Sequence, residues 1–375
     1  MDLEEIHKII SINKKPADTK IVVAMSGGVD SSVVAVLLKK LGYQVIGITL
    51  QLYDHGEALK KKNACCAGTD IYDAKIVAEK FDFPHFVLNY QNNFKESVID
   101  NFVSSYLEGQ TPIPCVKCNQ TVKFHDLLKV AHDLGADAMA TGHYVQRKIS
   151  AENIAEMHKA FDDSKDQSYF LFATTRPQLD FLRFPLGGFT KEFTRKLATE
   201  YGLEIANKPD SQDICFVPNG DYVEVIKKYR PDSFKVGDII HYASKKILGT
   251  HEGIINFTVG QRRGLKISYP EPLYVIQIDA KNNQILVGEE EFLNQQTFII
   301  ESCNWLINTQ KLSKFHGKVR IRSNTEEQPA QIDILPNNLA KITMKSMTRA
   351  ITKGQAGVIY DNTKLLGGGW ISQVI

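Results

Sequence analysis

The chain has 375 residues, of which 43% are hydrophobic and 23% charged, a balance typical of a soluble globular protein with a sizeable core. No apolar run approaches the roughly 20 residues of a membrane-spanning helix, and residues 1–5 are acidic where a signal peptide is basic, so we expect a cytoplasmic protein. With a net charge of only +2, a nucleic-acid partner would have to be bound by local patches rather than by overall charge.

The first strong pattern is a strand, a loop and a helix in immediate succession. The β-branched run Ile21–Ala24 predicts a buried strand. The apolar run Val33–Leu38, followed by two lysines and Gly42, predicts a helix with cations in its last turn and a glycine stop. Between them lies a segment rich in glycine and serine, which we call the Gly-Ser loop (residues 24–32).

The Gly-Ser loop has the composition of a phosphate-binding loop. Its glycines let backbone N–H groups approach an anion, and the following helix adds the partial positive charge of its N-terminus. The sequence contains neither a Walker A motif nor a Rossmann G-x-G-x-x-G. The loop instead resembles the S-G-G-x-D-S loop of the PP-loop ATP pyrophosphatases, which split ATP between its α and β phosphates. An ordinary turn between strand and helix is the alternative.

Strands and helices alternate through the rest of this half. Thr69 is predicted to cap a helix, and Phe94–Glu108 and Val122–Leu134 are predicted helices. The alternation indicates a parallel sheet with helices on both faces and a ligand site outside the carboxyl ends of the strands. The predicted strands that follow the first are Gln44–Leu50, His85–Leu88 and Ala138–Thr141.

Two loops are predicted to face the same crevice as the Gly-Ser loop. One contains Gly142 and His143, directly after a strand. The other, residues 109–119, leads into a helix and carries Cys115 and Cys118, and a cysteine near a helix N-terminus is favoured as the thiolate. In an intracellular chain of this size cysteines indicate catalysis, metal binding or burial rather than a disulfide framework. The six are Cys65, Cys66, Cys115, Cys118, Cys215 and Cys303.

The second half of the chain is β-rich. A hairpin after Tyr144 and a helix over Thr190–Tyr201 complete the first half, which ends in a polar loop that carries Cys215, with Lys208 as the cation expected to lower its pKa. Short alternating apolar segments and turns such as Asn282-Asn283 and Pro336-Asn337-Asn338 follow. We therefore predict a catalytic α/β domain over 1–220, a small β-rich domain over 221–290 and a β-barrel over 291–375.

Several motifs in the same order resemble those of the tRNA-specific 2-thiouridylases, within the PP-loop superfamily. They are the Gly-Ser loop, Thr141–Tyr144, Lys165–Leu171, Asp213–Phe216, Phe257–Leu265, Gly354-Gln355 and Leu366–Gly369. The resemblance implies ATP-dependent 2-thiolation of the wobble uridine (position 34) of tRNA. The C2 oxygen would be adenylated, and sulfur from a cysteine persulfide would then displace AMP.

The resemblance also implies roles for individual residues. ATP would be bound with Mg²⁺, for which Asp30 is the expected ligand. The expected catalytic residues are Cys215, which would carry the persulfide, and Cys118, its partner in sulfur transfer and in a disulfide. The expected ATP-binding residues are Ala24, Met25, Ser26, Gly27, Gly28, Val29, Asp30, Ser31, Leu50 and Gly142. The expected tRNA-binding residues are Ile113, Pro114, Cys115, His143, Lys165, Asp166, Gln167, Arg320, Arg322 and Gln355.

One position departs from the family pattern. Many members have Asn-Pro-Asp ahead of the nucleophilic cysteine, whereas this chain has Ile113-Pro114-Cys115. The acid–base role of the missing aspartate therefore has no assigned residue here. Cys115 is either a spare or resolving thiol, or a ligand with Cys118 and Cys215 of a 4Fe–4S cluster.

Other functions stay open at this level. A PP-loop ATPase that amidates a carboxylate or thiolates another base is one alternative, and an iron–sulfur RNA-binding protein with a degenerate ATP site is another. The expected partners are the tRNA anticodon loop and a sulfur donor, such as a cysteine desulfurase or a sulfur-relay protein.

Overall fold

A computed structural model describes residues 3–53, 67–210, 214–217, 220–310 and 312–375. The chain divides into two compact units, the first over residues 1–98, 115–212 and 363–365, and the second over residues 99–114, 213–362 and 366–375. The predictions for the loop that contains Cys65 and Cys66 lie outside the described residues. No helix in the described part of the chain is long and apolar enough to cross a membrane.

The first unit is built on a five-stranded parallel sheet. The sheet has the order β3-β2-β1-β4-β7, so that β1 lies at its centre. Its strands are β1 (Lys20–Ala24), β2 (Gln44–Gln51), β3 (His85–Asn89), β4 (Ala138–Thr141) and β7 (Leu182–Arg183). β2 lies on one side of β1 and β4 on the other. In such a sheet a ligand site is expected at the carboxyl ends of the strands, at the point where the strand order changes direction.

Helices follow these strands, and a hairpin joins the same unit. The helices are α1 (Leu3–Ile10), α2 (Val29–Lys40), α3 (Ala67–Lys80), α4 (Gln91–Phe94), α5 (Asp100–Leu107, in the second unit), α6 (Pro114–Cys118), α7 (Leu128–Asp133), α8 (Arg176–Phe181) and α9 (Lys191–Glu200). The predicted hairpin is formed by β5 (Val145–Ile149) and β6 (Ala155–Lys159).

Helix α2 is the buried centre of the first unit. Nine of its residues are buried, and the seven apolar ones among them pack with β1 and β2 into one hydrophobic core. Its predicted end is confirmed, since Gly42 has φ +87°, a conformation that glycine adopts without strain. Burial of this helix on nearly all sides holds its amino terminus at the carboxyl end of β1.

Three helix predictions were wrong in detail. Helix α3 begins at Ala67, so Thr69 lies inside it and is not its cap. The predicted helix Phe94–Glu108 is interrupted by a π-helical segment, Lys95–Ile99. The helix predicted to begin at Val122 begins at Pro114 and is π-helical over Asn119–Leu127. Periodicity rules assume regular α-helical hydrogen bonding, which the two π-helical segments do not have.

The second unit contains a four-stranded sheet and a closed barrel. The sheet has the order β10-β11-β8-β9, and the barrel closes because β12 pairs with both β15 and β17. The sheet is preceded by helix α10 (Tyr222–Tyr229), and its strands are β8 (Gly237–His241), β9 (Ile247–His251), β10 (Tyr274–Asp279) and β11 (Gln284–Gly288). The barrel strands are β12 (Asn294–Trp305), β13 (Lys314–Arg320), β14 (Gln328–Leu335), β15 (Leu339–Arg349), β16 (Ala356–Asp361) and β17 (Lys364–Val374).

The fold class predicted from the sequence is confirmed. The parallel sheet, the small β-rich sheet and the terminal barrel occur in the expected order. The alternating residues Val319, Ile332 and Ile342 are buried in the barrel core, as period-2 patterning predicts. The turn at Asn337 and Asn338 is also confirmed, since both have positive φ.

Candidate active site

The Gly-Ser loop connects the end of β1 to the start of α2. Ser31 closes the loop, because its Oγ accepts from the Ser26 backbone N–H at 3.1 Å and lies 3.3 Å from Ser26 Oγ. Gly28 is the N-cap of α2 and offers no side-chain cap. The free N–H groups of the first helical turn are therefore available to an anion, as the sequence predicted for a phosphate site.

Gly27 lies against the backbone of α3. A Cβ at this position, where φ is +74°, would lie 2.0 Å from the Asp70 carbonyl oxygen. Lys208 also contacts this region, since its ammonium donates to the Gly27 carbonyl at 3.1 Å and pairs with Asp70 and Asp73. Burial opposes the charged form, but the two carboxylates raise the pKa of Lys208. Lys208, the cation predicted to lower the pKa of Cys215, is thus paired with two carboxylates.

Gly142 approaches the other side of the same helix terminus. A Cβ there would lie 2.8 Å from the Ser31 backbone nitrogen and 3.0 Å from the Asp30 carbonyl carbon. Ala24 and Thr141 are paired residues at the ends of β1 and β4, which brings Gly142 to the loop. Gly27 thus permits close contact between the Gly-Ser loop and α3, and Gly142 permits close contact with the first turn of α2. Leu50, half-buried near the end of β2, lies on the strand next to β1.

Asp30 is engaged by two side chains from distant parts of the chain. Lys191 donates to both carboxylate oxygens at 2.7 Å, and the Tyr144 hydroxyl donates to Oδ1 at 2.9 Å. Lys191 also lies 5.7 Å from the centre of the Tyr144 ring. Burial and the neighbouring Asp30 raise the pKa of Tyr144, so this hydroxyl stays a donor. The residue expected to bind a metal ion thus has an ammonium against it.

Asp210 extends this arrangement into an ionic cluster. It accepts from Lys165 and Lys191 at 2.9 Å and from Arg195 at 2.8 Å. Burial alone raises the pKa of its carboxyl, but Lys165 and Lys191 overcome this and lower the pKa to about 2. We call Asp30, Lys165, Lys191, Arg195 and Asp210 the ionic cluster; its three cations exceed its two carboxylates by one charge.

Sequence reasoning missed Lys191, Arg195 and Asp210. A signal for Lys191 was present, because it directly follows the N-cap Thr190 of α9. A cation in the first turn of a helix opposes the helix dipole, and this cost indicates a compensating anion nearby. No comparable local signal marks Arg195 or Asp210.

The predicted tRNA-binding residues Asp166 and Gln167 support the chain locally. Asp166 accepts from the backbone of Ala160 and Ser168, which shapes the turn. Gln167 Oε1 accepts from the Tyr144 backbone N–H at 2.9 Å and so holds the segment after β4. Both residues therefore have structural contacts beside the site, and their role in tRNA binding stays a prediction.

Cys115 lies in the first turn of α6 and Cys118 is its last residue, and the two differ in exposure. Cys115 is exposed, whereas Cys118 is 7% exposed. Burial raises the pKa of the Cys118 thiol, and Lys123 partly opposes this shift. The expected effect of the helix N-terminus is thus outweighed by burial. Because π-helical hydrogen bonds link residues five apart, the segment brings Lys123 onto the side of Cys118.

His143 lies next to the same lysine. Its Nδ1 shares a hydrogen bond of 2.9 Å with Thr141 Oγ1, and its ring meets the Phe124 ring edge-on at 5.8 Å. Burial, together with Lys123, lowers the pKa of His143 to about 3. His143 is therefore neutral at physiological pH and can donate or accept a hydrogen bond but carries no charge for phosphate.

Cys215 belongs to the second unit and is exposed. It lies in a turn closed by the Val217 N–H and the Ile214 carbonyl at 2.8 Å. The next side chain, Phe216, packs edge-on against Phe102 of α5 at 5.2 Å. This ring contact anchors the short turn while leaving Cys215 at the surface. Its predicted pairing with Cys118 stays a prediction.

The remaining predicted tRNA contacts also lie in the second unit. Gln355 Nε2 donates to the Thr111 carbonyl at 2.9 Å, which brings it beside the segment that contains Ile113 and Pro114, both buried. Arg320 pairs with Glu327 at 2.9 Å and is mostly buried. Arg322 donates to the Ala350 carbonyl and to Thr352 Oγ1. The two arginines thus have structural contacts in the barrel.

Three family models match successive parts of the chain. Residues 19–219 match the tRNA methyl transferase HUP domain, residues 223–289 the tRNA methyl transferase PRC-barrel domain and residues 295–371 the aminomethyltransferase beta-barrel domain. The first match alone covers more than half of the chain.

Curated relatives match over nearly the whole chain. The tRNA-specific 2-thiouridylase MnmA of Rickettsia conorii (strain ATCC VR-613 / Malish 7) is 58% identical over 98% of this chain and 99% of its own length. That of Rickettsia canadensis (strain McKiel) is 59% identical over 97% of this chain and 99% of its own length. The domain descriptions mention methyl transfer, but identity at this level over whole chains is the stronger finding.

Similarity to solved structures is much lower. The U34-tRNA thiolase NcsA of Methanococcus maripaludis, with its 4Fe-4S cluster, has a TM-score of 0.37 and 17% identity, and the match covers 61% of this chain and 72% of that one. A TM-score this low carries no argument about the site.

The contact at Gly142 gives a first prediction. Gly142→Ala will lower the affinity for ATP at least tenfold, about 1.4 kcal/mol, because its Cβ displaces the first turn of α2. Titration calorimetry with ATP measures the affinity. Gly68→Ala is the matched control, since a Cβ there meets no atom within 4 Å. Equal affinities in the two variants would contradict the role assigned to this contact.

His143 gives a prediction about pH. The unfolded chain binds a proton at this ring below a pKa of about 6.5, whereas the folded chain does so only near 3. The contribution of neutral His143 to stability is therefore present above pH 6.5 and is lost as pH falls toward 3. Its ring resonances in NMR spectra, assigned with His143→Asn, will not shift between pH 8 and 5. A titration midpoint near 6.5 would show that the ring is not shielded.

Proposed function

The chain belongs to the tRNA-specific 2-thiouridylase family, and from that premise we propose how its residues divide the work of ATP-dependent 2-thiolation. The enzyme is a sulfurtransferase that uses ATP and acts on tRNA. Uridine 34 of the anticodon is the proposed target. The observation that carries the proposal is that the helical segment that follows Cys118 packs against the residue after Gly142. Its Phe124 meets the His143 ring edge-on at 5.8 Å, and Gly142 lies against the first turn of α2. A thiol and an anion site are thereby brought together.

ATP binds at the Gly-Ser loop in this proposal. The residues Ala24 to Ser31 supply backbone N–H groups and hydroxyls to the phosphates, and Leu50 and Gly142 flank the nucleotide. The free N–H groups at the start of α2 and the excess positive charge of the ionic cluster favour a polyanion.

Asp30 is the proposed protein ligand for Mg²⁺. Among the residues that the structure describes, no group of three or more His, Cys, Asp or Glu side chains is arranged to hold a metal ion. This fits Mg²⁺, which is bound by one or two carboxylates together with substrate phosphates and water. Bound Mg²⁺ would neutralise charge on the departing pyrophosphate.

Adenylation prepares C2 of uridine for substitution. The uridine O2 forms a bond to the α-phosphorus of ATP, the bond from that phosphorus to the bridging oxygen breaks, and pyrophosphate leaves with the electron pair. A C2 oxygen is a poor leaving group as hydroxide but a good one as AMP. Access to C2 requires a base that is splayed from the anticodon loop, as is usual in recognition of single-stranded RNA.

Sulfur transfer uses Cys215 and Cys118. A donor protein, such as a cysteine desulfurase or a relay protein, transfers a sulfur atom to Cys215 and leaves a persulfide. In one route its terminal sulfur attacks C2, AMP leaves, and Cys118 then attacks Cys215 Sγ to release thiouridine. In the other, Cys118 first releases hydrogen sulfide, which attacks C2. Both end in a Cys118–Cys215 disulfide, which a cellular thiol must reduce by two electrons.

The environment of Cys118 suits this role. Burial raises the pKa of its thiol, so that the cation Lys123 is needed to favour the thiolate. The full-length relatives favour the persulfide route over an iron–sulfur cluster on Cys115, Cys118 and Cys215. Cys115, which stands where many members have aspartate, is proposed as a spare or resolving thiol that contacts the target base.

Contacts with tRNA are proposed on the residues that the family pattern assigns. They are Ile113, Pro114, Cys115, His143, Lys165, Asp166, Gln167, Arg320, Arg322 and Gln355. The hydrogen bond between Gln355 and Thr111 supports one shared surface for the barrel loop and the 109–114 segment of the second unit. The proposed location is the cytoplasm, where tRNA and thiol reductants are available.

The function is tested by mass analysis of nucleosides. Purified protein is incubated with unmodified tRNA, ATP, Mg²⁺ and a persulfide donor, and the tRNA is digested. We expect 2-thiouridine, with one pyrophosphate released for each base modified. Pyrophosphate without thiolated nucleoside under anaerobic conditions, or thiolation at another base, would contradict the proposal.

The cysteines give a further prediction. Cys118→Ser and Cys215→Ser will each lower thiolation at least a hundredfold while tRNA-dependent release of pyrophosphate persists, because adenylation precedes sulfur transfer. Cys115→Ser will keep at least part of the activity. Cys303→Ser, a change in the barrel, is the matched control.

Iron distinguishes the two sulfur chemistries. If metal-free protein is inactive, iron restores activity and Cys115→Ser is as inactive as the other two variants, the persulfide route is wrong. In that case the three cysteines act together as ligands of a cluster.

A further inference from the structure

Lys191 and Asp30 form a close and partly buried ion pair at the start of α2. Both carboxylate oxygens lie 2.7 Å from the ammonium, and the side chain of Lys191 is 11% exposed. Asp30 is the second residue of α2, so the ammonium lies one side chain away from the N–H groups of the Gly-Ser loop. A protein cation is thus placed where phosphates are proposed to bind.

Lys191 and a divalent cation compete for the same two oxygens. A divalent cation bound to either oxygen draws on the same negative charge and repels the ammonium, so its binding weakens this ion pair. Release does not leave Lys191 without an anion, because Asp210 lies 2.9 Å from the same nitrogen. Asp210 in turn keeps Lys165 and Arg195. The ionic cluster can therefore lose the contact with Asp30 while Lys191 stays in place.

The freed ammonium would meet a polyanion. Lys191 is the first residue of α9, whose N-terminal N–H groups carry partial positive charge, as do those of α2. With the divalent cation on Asp30, the excess positive charge of the cluster rises, and the anion that balances it is the polyphosphate. Lysine suits this exchange since its ammonium is a compact charge on a flexible stem.

We propose that Lys191 is an exchanging counter-cation, which neutralises Asp30 until a divalent cation displaces it and then binds the phosphates that leave as pyrophosphate. The proposal rests on the proposed function for its choice of phosphate ligand. During adenylation the electron pair of the broken bond passes to the pyrophosphate oxygen, and Lys191 stabilises the charge there. A purely structural ion pair between α2 and α9 is the alternative.

The two accounts predict different changes in two affinities. Lys191→Met keeps the stem and removes the competitor, so we expect Mn²⁺ alone, measured by electron paramagnetic resonance, to bind about tenfold more tightly. Pyrophosphate in the presence of Mg²⁺, measured by calorimetry, should bind at least tenfold more weakly. Lys191→Arg retains a cation and should change the Mn²⁺ affinity less than threefold.

Lys14→Met is the matched control. It removes the ion pair with Asp137 at the amino end of the parallel strands, the end opposite the Gly-Ser loop. There Asp137 accepts a hydrogen bond from the backbone N–H of Lys20, the first residue of β1. Neither affinity should change more than threefold. Thermal unfolding monitored by circular dichroism verifies that each variant is folded, and Lys191→Gln replaces Lys191→Met if the latter does not fold.

The exchange is supported only if Lys191→Met raises the affinity for Mn²⁺ and lowers the affinity for pyrophosphate. If both affinities fall together, if neither changes, or if only one moves, Lys191 is a structural partner of Asp30 and the proposal is wrong. Neither measurement uses tRNA or sulfur, so failure of the thiolation assay leaves this result intact. Conversely, normal thiolation with unchanged affinities would overturn only the exchange.

Discussion

Helix α2 begins where two backbone segments leave no room for a side chain. On one side Gly27 faces the carbonyl of Asp70, and on the other Gly142 faces the nitrogen of Ser31. This crowding has a chemical consequence, because N–H groups bind an anion only where the approach is free of side chains. The buried apolar faces of α2 supply the rigidity, since seven of its residues pack within the core. The geometry of the Gly-Ser loop therefore depends on the packing of α2 in the core.

Charge around this helix terminus is arranged in layers. Asp30 belongs to the Gly-Ser loop and is bound by Lys191 and Tyr144. Asp210 shares Lys191 with it and also pairs with Lys165 and Arg195. Lys208 forms ion pairs with Asp70 and Asp73 beside Gly27. Partly buried ion pairs of this kind cost free energy to desolvate and add little net stability. Their retention at a proposed nucleotide site is better explained by the polyanion that they are arranged to meet.

The thiols show how burial and local helix effects compete. A cysteine near a helix N-terminus is expected to have a lowered pKa, yet burial raises the pKa of Cys118, the last residue of α6. Lys123 opposes the shift from within a π-helical segment that periodicity rules do not anticipate. The same lysine adds to the lowered pKa of His143. One cation thus acts on a thiol and on a neutral imidazole.

The sequence by itself determined the features that depend on neighbouring residues. The Gly-Ser loop, the end of α2 at Gly42 and the alternating barrel strands follow from local sterics and from burial of one face, and all were predictable. The family, and with it the fold class, also followed from motifs in order. The start of α3 at Ala67 was not predicted, because the capping preference of Thr69 pointed to a later start.

Only the tertiary structure decided which charges meet. Lys191 is 161 residues from Asp30 in the chain, and Lys208 is 138 residues from Asp70. Long side chains have no periodic signature that reveals such partners, and a lysine in a polar loop looks the same whether it is solvated or paired. Closure of the barrel through the pairing of β12 with β17 is likewise invisible in the pattern of either strand. These contacts arise because strand order and strand pairing bring distant segments of the chain together, and both are properties of the whole fold.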